Sequence, residues 1–103
     1  MWAQLITMTL KPGNEGDLPR LYEGLRAAET PGSGLLRTSA GRDQKNPNRI
    51  YHLVLFESEE KARAREQDPG RQKALEGVRA RMADIFDGPP EFVDLDIIED
   101  EVY

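Results

Sequence analysis

The chain has 103 residues, a formal net charge of −5 and no cysteine. This length corresponds to a single domain over residues 1–103. The acidic balance, without any run of Lys and Arg free of interleaved acids, excludes the basic surface that nucleic-acid binders present and argues against anionic membranes. The lack of cysteine excludes disulfides, zinc–thiolate sites and thiol nucleophiles. No signal peptide or long apolar run is visible, which predicts a cytoplasmic protein.

The first strand and the first helix are predicted from two different apolar periodicities. Residues 2–10 alternate as in a strand and are largely apolar on both faces, which predicts a central strand. A helix follows, with Asn14 or Asp17 as its cap and Pro19 in its first turn. Its apolar face has helical spacing and consists of Leu18, Leu21, Tyr22, Leu25 and Ala28.

The rest of the chain predicts three strands and one interrupted helix. Residues 35–43 and 49–57 are rich in strand-forming residues and flank a short Asn-Pro-Asn turn, which predicts a hairpin. Ser58 is a good cap for a helix that residues 67–70 interrupt. The helix resumes with an apolar stripe of Leu75, Val78, Met82, Ile85 and Phe86. Residues 91–99 form the last strand, near a sheet edge.

This β-α-β-β-α-β order predicts a ferredoxin-like α+β fold, in which two helices cover one face of a four-stranded antiparallel sheet. The first and third strands are apolar on their second face as well. An uncovered apolar sheet face is an association surface, so we expect a homodimer in which two sheets pack face to face. Tyr51 is predicted to lie at that interface.

Several segments, taken in order, resemble one family of proteins. They are "LKPGNEGDL", "ETPGSGLLR", "RDQKNPNRIYHLVLFESEEKA", "EQDPGRQKAL" and "FDGPPEFVDLDII". Together they are similar to the antibiotic biosynthesis monooxygenase-like domains of the dimeric α/β-barrel superfamily. The resemblance implies a homodimeric α/β barrel with one pocket per subunit, between the helices and the sheet, for a small hydrophobic or aromatic ligand.

The resemblance implies a cofactor-independent monooxygenase, without metal, that acts on an aromatic quinol or polyketide-like compound. Two alternatives remain: a non-catalytic dimer that binds a small ligand, and a polyketide isomerase or cyclase of the same barrel fold. Haem-degrading members carry an axial histidine just before the helix interruption, where this chain has Arg65. A guanidinium cannot ligate iron, so haem degradation by that route is not expected.

His52, the only histidine, is the candidate base, because the resemblance places its strand face against the pocket and its pKa lies near neutrality. The alternative is a strand histidine that only hydrogen-bonds its neighbours. Tyr22 is the candidate hydroxyl donor to a substrate oxygen, or else a core residue. Arg37 is the candidate partner for an enolate or carboxylate, or else forms a surface or intersubunit ion pair.

The predicted substrate walls are apolar side chains that would equally serve as core. They are Trp2, Ile6, Met8, Val54, Phe56 and Met82. Asp94 and Asp96 alternate on the last strand, but charges on an edge strand discourage aggregation, and we do not interpret them as an acid–base pair.

Overall fold

A computed structural model describes all 103 residues of the chain. Its elements, in chain order, are β1 (Trp2–Thr9), α1 (Leu18–Ala27), β2 (Leu35–Arg42), β3 (Arg49–Phe56), α2 (Glu59–Glu66), α3 (Pro69–Ala74), α4 (Glu76–Ile85) and β4 (Glu91–Asp96). One turn of 3-10 helix, Glu15–Asp17, leads into α1. None of the helices has both the length and the apolar character that crossing a membrane requires.

The four strands form one antiparallel sheet in the order β2-β3-β1-β4. The apolar strands β1 and β3 are central, and β2 and β3 form the predicted hairpin. The charged strand β4 lies at an edge, as predicted. This topology confirms the ferredoxin-like α+β fold.

The second predicted helix is three helices, so the structure has four α-helices rather than two. The Ser58 hydroxyl caps α2 by accepting a hydrogen bond from the Lys61 N–H at 3.2 Å. At the predicted interruption, the Asp68 carboxylate caps α3 by accepting from the Gly70 N–H at 3.1 Å. Pro69 lacks an N–H and cannot continue the α2 hydrogen-bond ladder, which explains the break.

Helix α1 begins where the sequence predicts and approaches α4 closely. Pro19 lies in its first turn, but neither predicted cap residue accepts a hydrogen bond from the helix backbone; the Asn14 amide instead donates to the Asp17 carboxylate at 2.8 Å. A Cβ at Gly24 would lie 3.0 Å from a methyl carbon of Val78. A glycine at this position therefore allows the two helices to pack.

The core lies between the helices and one face of the sheet. Even-numbered positions of β1 and β3 point toward the helices, and cross-strand pairs such as Met8 with Ile50 bring them together. The main cluster of buried residues consists of Met8, Leu10, Leu21, Ala28, Ile50, Leu75, Val78, Ile85 and Phe86. A smaller cluster at the opposite end of the strands contains Trp2, Phe56 and Ala62.

No helix covers the second face of the sheet, which we call the open face. Strand register places on it the odd-numbered side chains of the central strands and their neighbours, including Leu5, Tyr51, Leu53, Leu55, Val93 and Leu95. Leu53 is 40% exposed and Val93 is 49% exposed, although both lie within regular strands.

Replacement of Leu21 by Ala tests the role of α1 in the core. The Leu21 side chain is 1% exposed, so we expect the free energy of unfolding, measured by urea titration, to fall by about 2–5 kcal/mol. Val102→Ala is the control, because Val102 is 93% exposed and its truncation should change stability by less than about 0.5 kcal/mol. Equal effects of the two substitutions would contradict this assignment of the core.

Candidate active site

Tyr22 and His52 form a hydrogen-bonded pair between α1 and β3. The Tyr22 hydroxyl lies 2.8 Å from His52 Nε2, and the ring centroids are 5.5 Å apart in an edge-on arrangement. Both side chains are half-buried. Tyr22 belongs to the apolar face of α1, and His52 lies across from Ile6 on the helix-facing side of the sheet. The structure therefore brings together two of the three predicted catalytic residues.

Burial shifts both pKa values of the pair toward the neutral forms. Loss of hydration lowers the pKa of His52 below its usual value of 6.5, because the charged imidazolium is disfavoured. Burial raises the pKa of Tyr22 because the phenolate is disfavoured, and the nearby positive charge of Arg42 offsets part of this effect. At neutral pH the pair is therefore a neutral phenol beside a neutral imidazole.

His52 Nδ1 is buried and has no hydrogen-bond partner. When the Tyr22 hydroxyl donates to Nε2, the imidazole proton resides on Nδ1, which is then a free donor. When Nε2–H donates to the Tyr22 oxygen, Nδ1 carries a free lone pair and is a base. His52 can thus either give or accept a proton at Nδ1, depending on whether Tyr22 or His52 is the donor in the hydrogen bond between them.

Arg37, the third predicted catalytic residue, lies on the other side of the sheet. The β2–β3 register shifts between Leu35, which pairs with Phe56, and Arg37, which pairs with Leu55. This bulge turns Arg37 to the open face, opposite His52. Arg42 instead pairs with Ile50 on the helix-facing side and is the arginine whose charge acts on Tyr22. Sequence analysis missed Arg42 because the bulge reverses the strand alternation.

Two arginines of α2 cover a buried aromatic pair. The rings of Trp2 and Phe56 have centroids 5.9 Å apart. The Arg63 guanidinium lies 5.0 Å from the Trp2 ring centroid, and that of Arg65 lies 5.2 Å from the Phe56 centroid. Arg63 is held by Asp94 at 2.9 Å, so this edge-strand carboxylate orients an arginine.

Arg65 is fixed by Glu29, a contact that sequence analysis did not find. The guanidinium donates to both carboxylate oxygens of Glu29, at distances from 2.6 to 3.1 Å. Burial alone would raise the pKa of Glu29, but the hydrogen bonds from Arg65 and Ser33 lower it, so the carboxylate is charged. The side chains of Arg65 and Glu29 are only 14% and 22% exposed, which makes this the least exposed ion pair of the structure.

The six predicted substrate-wall residues do not form a single surface. Trp2, Phe56 and Val54 belong to the smaller cluster, beneath the two arginines. Ile6, Met8 and Met82 belong to the main core cluster. Met8 and Met82 also line a cavity beside α4, a different location from the Tyr22–His52 pair.

Comparison with solved structures shows the same fold over nearly the whole chain. A putative antibiotic biosynthesis monooxygenase from Bordetella bronchiseptica superposes with a TM-score of 0.74 at 17% identity, covering 95% of this chain and 97% of the other. SnoaB from Streptomyces nogalater, a cofactor-independent oxygenase, gives a TM-score of 0.73 at 12% identity, covering 96% and 94%. A variant of MhuD, with two manganese protoporphyrin IX molecules per active site, gives 0.80 at 17% identity over 100% of both chains.

The four-stranded sheet with its helices on one face thus defines a ferredoxin-like α+β domain. The sequence profile described as antibiotic biosynthesis monooxygenase matches residues 1–77. The chain belongs to this family. No curated protein matches it in sequence.

The residues of the site do not fit a haem. Haem iron commonly takes an axial histidine, and the only imidazole here lies on β3 beside Tyr22, not before the helix interruption where the resemblance puts that ligand. Arg65, which the resemblance places at the axial position, is held by Glu29 and has no lone pair to offer a metal. No group of three potential His, Cys, Asp or Glu metal ligands occurs in the structure.

The lowered pKa of His52 predicts a specific loss of stability on mild acidification. Below about pH 6.5 the unfolded chain protonates His52 while the folded chain does not, so the free energy of unfolding should fall as the pH decreases. The slope contributed by this one group is at most about 1.4 kcal/mol per pH unit. Urea titrations between about pH 7 and pH 5.5 measure it.

His52→Gln is the comparison for this prediction, because glutamine does not titrate. Carboxylates such as Glu29 contribute at lower pH and in both proteins, so the difference between the two curves isolates the imidazole. Parallel curves for the wild type and the variant would show that burial does not disfavour the imidazolium.

Proposed function

We propose that the protein is a cofactor-independent monooxygenase that acts on an electron-rich aromatic compound bearing an acidic phenol or an activated CH₂ group. The observation that supports this most directly is the neutral Tyr22–His52 pair with a free Nδ1, in a member of a monooxygenase family. A base that is neutral at pH 7 can remove a weakly acidic substrate proton without first losing its own.

In the proposed reaction, His52 Nδ1 removes the substrate proton. The resulting phenolate or carbanion transfers one electron to O₂, and recombination of the superoxide with the substrate radical forms a carbon–oxygen bond. The His52 imidazolium returns its proton to the resulting peroxide anion, and the hydroperoxide then loses water to give the carbonyl product. For an activated methylene the balance is R₂CH₂ + O₂ → R₂C=O + H₂O, so the substrate supplies all the electrons that reduce oxygen.

Tyr22 and Arg42 support the base in this proposal. After proton transfer the imidazolium donates through Nε2–H to the Tyr22 oxygen at 2.8 Å, which keeps the ring oriented. The positive charge of Arg42 acts on the same hydroxyl and favours negative charge that develops near it. These two residues are positioning and electrostatic partners of the base.

Oxygen uptake by the purified protein with a panel of hydroquinones and anthrones tests the proposal. We expect uptake above the spontaneous rate, with kcat/KM about 10²–10⁴-fold lower in His52→Gln, because a general base is lost. Tyr22→Phe should lower kcat/KM about tenfold through loss of one hydrogen bond. Tyr103→Phe is the matched control, since Tyr103 is fully exposed at the C-terminus and its hydroxyl contacts nothing in this site.

The outcome pattern separates this proposal from the two alternatives. Turnover that His52→Gln leaves unchanged would exclude His52 as the base. A panel compound that binds without oxygen uptake would favour the non-catalytic ligand-binding dimer. Product formation without oxygen would favour an isomerase or cyclase.

We further propose that two subunits associate through their open faces. Leu53 and Val93 are substantially exposed on this face, and Leu5, Tyr51 and Leu55 extend the apolar area around them. Contiguous exposed apolar area of this kind is uncommon on a monomer and is stabilised by burial against a partner. A second copy offers a matching apolar face about a two-fold axis.

Sedimentation equilibrium tests the dimer. The wild-type chain should have about twice its monomer mass of 11.6 kDa, and Leu53→Glu should shift it toward the monomer because the substitution would bury a charge in the interface. Phe92→Glu is the control, since Phe92 is 56% exposed but lies on the helix-facing side of β4, across from Ile6. A wild-type monomer at micromolar concentration would refute the dimer.

A further inference from the structure

A surface pocket of about 260 Å³, half open to solvent, lies between α4, β1 and the loop that leads into β4. Its walls are mainly apolar and include Met8, Met82, Ala83, Phe86 and Pro90. We call it the α4 cavity. Neither Tyr22 nor His52 lines it, so its contents need not be the substrate of the reaction proposed above.

One charged residue, Arg79, lines the α4 cavity. Its guanidinium forms no ion pair and no side-chain hydrogen bond within the protein, so all its donors can reach an anion. No Asp or Glu lines the cavity, so its only formal charge is positive. An apolar pocket with a single unpaired cation is complementary to an apolar molecule with one anionic end.

We propose that the α4 cavity binds a small apolar carboxylate, such as a medium-chain fatty acid, with its tail against the methionines and its carboxylate on Arg79. The volume is below the 300–1,000 Å³ usual for drug-sized ligands, which restricts the occupant to a short tail. The unbranched thioether side chains of Met8 and Met82 have several rotatable bonds and can adapt to a flexible alkyl chain. This assignment is independent of the monooxygenase proposal.

The three methionines of the chain provide a direct measurement. With ¹³C-methyl-labelled methionine, octanoate should shift the methyl resonances of Met8 and Met82, which line the α4 cavity. Met1, which is 50% exposed and lies outside the cavity, should not shift and serves as the internal reference. Met8→Leu and Met82→Leu assign the signals.

Two matched comparisons test the role of Arg79. Arg79→Gln should raise the Kd for octanoate about fivefold. This factor corresponds to the loss of one exposed ion pair of about 1 kcal/mol. Binding of 1-octanol, which has the same tail without the charge, should change by less than about twofold. Arg26→Gln is the control variant, because Arg26 is an exposed arginine on α1 with no ion pair and no place in the cavity.

A third variant tests the cavity itself. Ala83→Phe places a ring where the alkyl tail is proposed to lie, so it should abolish the octanoate-induced shifts of the methionine signals. The chain should still fold, because Ala83 is exposed on α4. Equal shifts of all three methionine signals would show non-specific association and overturn the proposal. So would equal loss of octanoate binding in Arg79→Gln and Arg26→Gln, or unchanged binding in Ala83→Phe.

Discussion

The alternation of side chains along the paired central strands β1 and β3 determines the location of every other feature. Even-numbered residues of both strands lie under the helices, where Met8 pairs with Ile50 and Trp2 with Phe56. The same parity places His52 beneath α1, within reach of Tyr22. A slip of one residue would exchange the two faces, moving the imidazole to the open face and the core residues into solvent. Core and candidate site therefore depend on a single register.

The Tyr22–His52 pair places two polar side chains between α1 and the sheet, where the neighbouring residues are apolar. Burial disfavours both charged forms, and each side chain meets part of the other's hydrogen-bonding capacity. The Nδ1 atom is buried and has no hydrogen-bond partner within the protein. Buried polar atoms without a protein partner are more frequent at functional sites than elsewhere. This reasoning supports a binding or catalytic role for His52 over that of a purely structural strand residue.

The sequence predicted the fold because the fold depends on periodicity, but it predicted the site only in part. Apolar spacing identified α1 and the central strands, and together these bring Tyr22 to His52. Strict alternation of side chains does not show the bulge at Leu36. This bulge turns Arg37 to the open face and Arg42 to the helix-facing side of the sheet. The contact between Glu29 and Arg65 spans 36 residues of sequence, so no local pattern reports it. The misses thus come from irregular backbone and from long-range ionic contacts.

The Glu29–Arg65 pair also bears on the kind of oxidation that the site can support. It clamps α2 to the end of α1 and holds a guanidinium over Phe56, at the place where the resemblance puts an axial histidine in haem-degrading relatives. Since the pair is largely buried, removal of either partner would leave an uncompensated charge, so this arrangement does not readily give way to a ligand. The single imidazole lies beside Tyr22 on β3, so no histidine stands at the place of that axial ligand. Under the proposed function, the electrons that reduce oxygen therefore come from the deprotonated substrate, and substrate acidity becomes the main determinant of which compounds react.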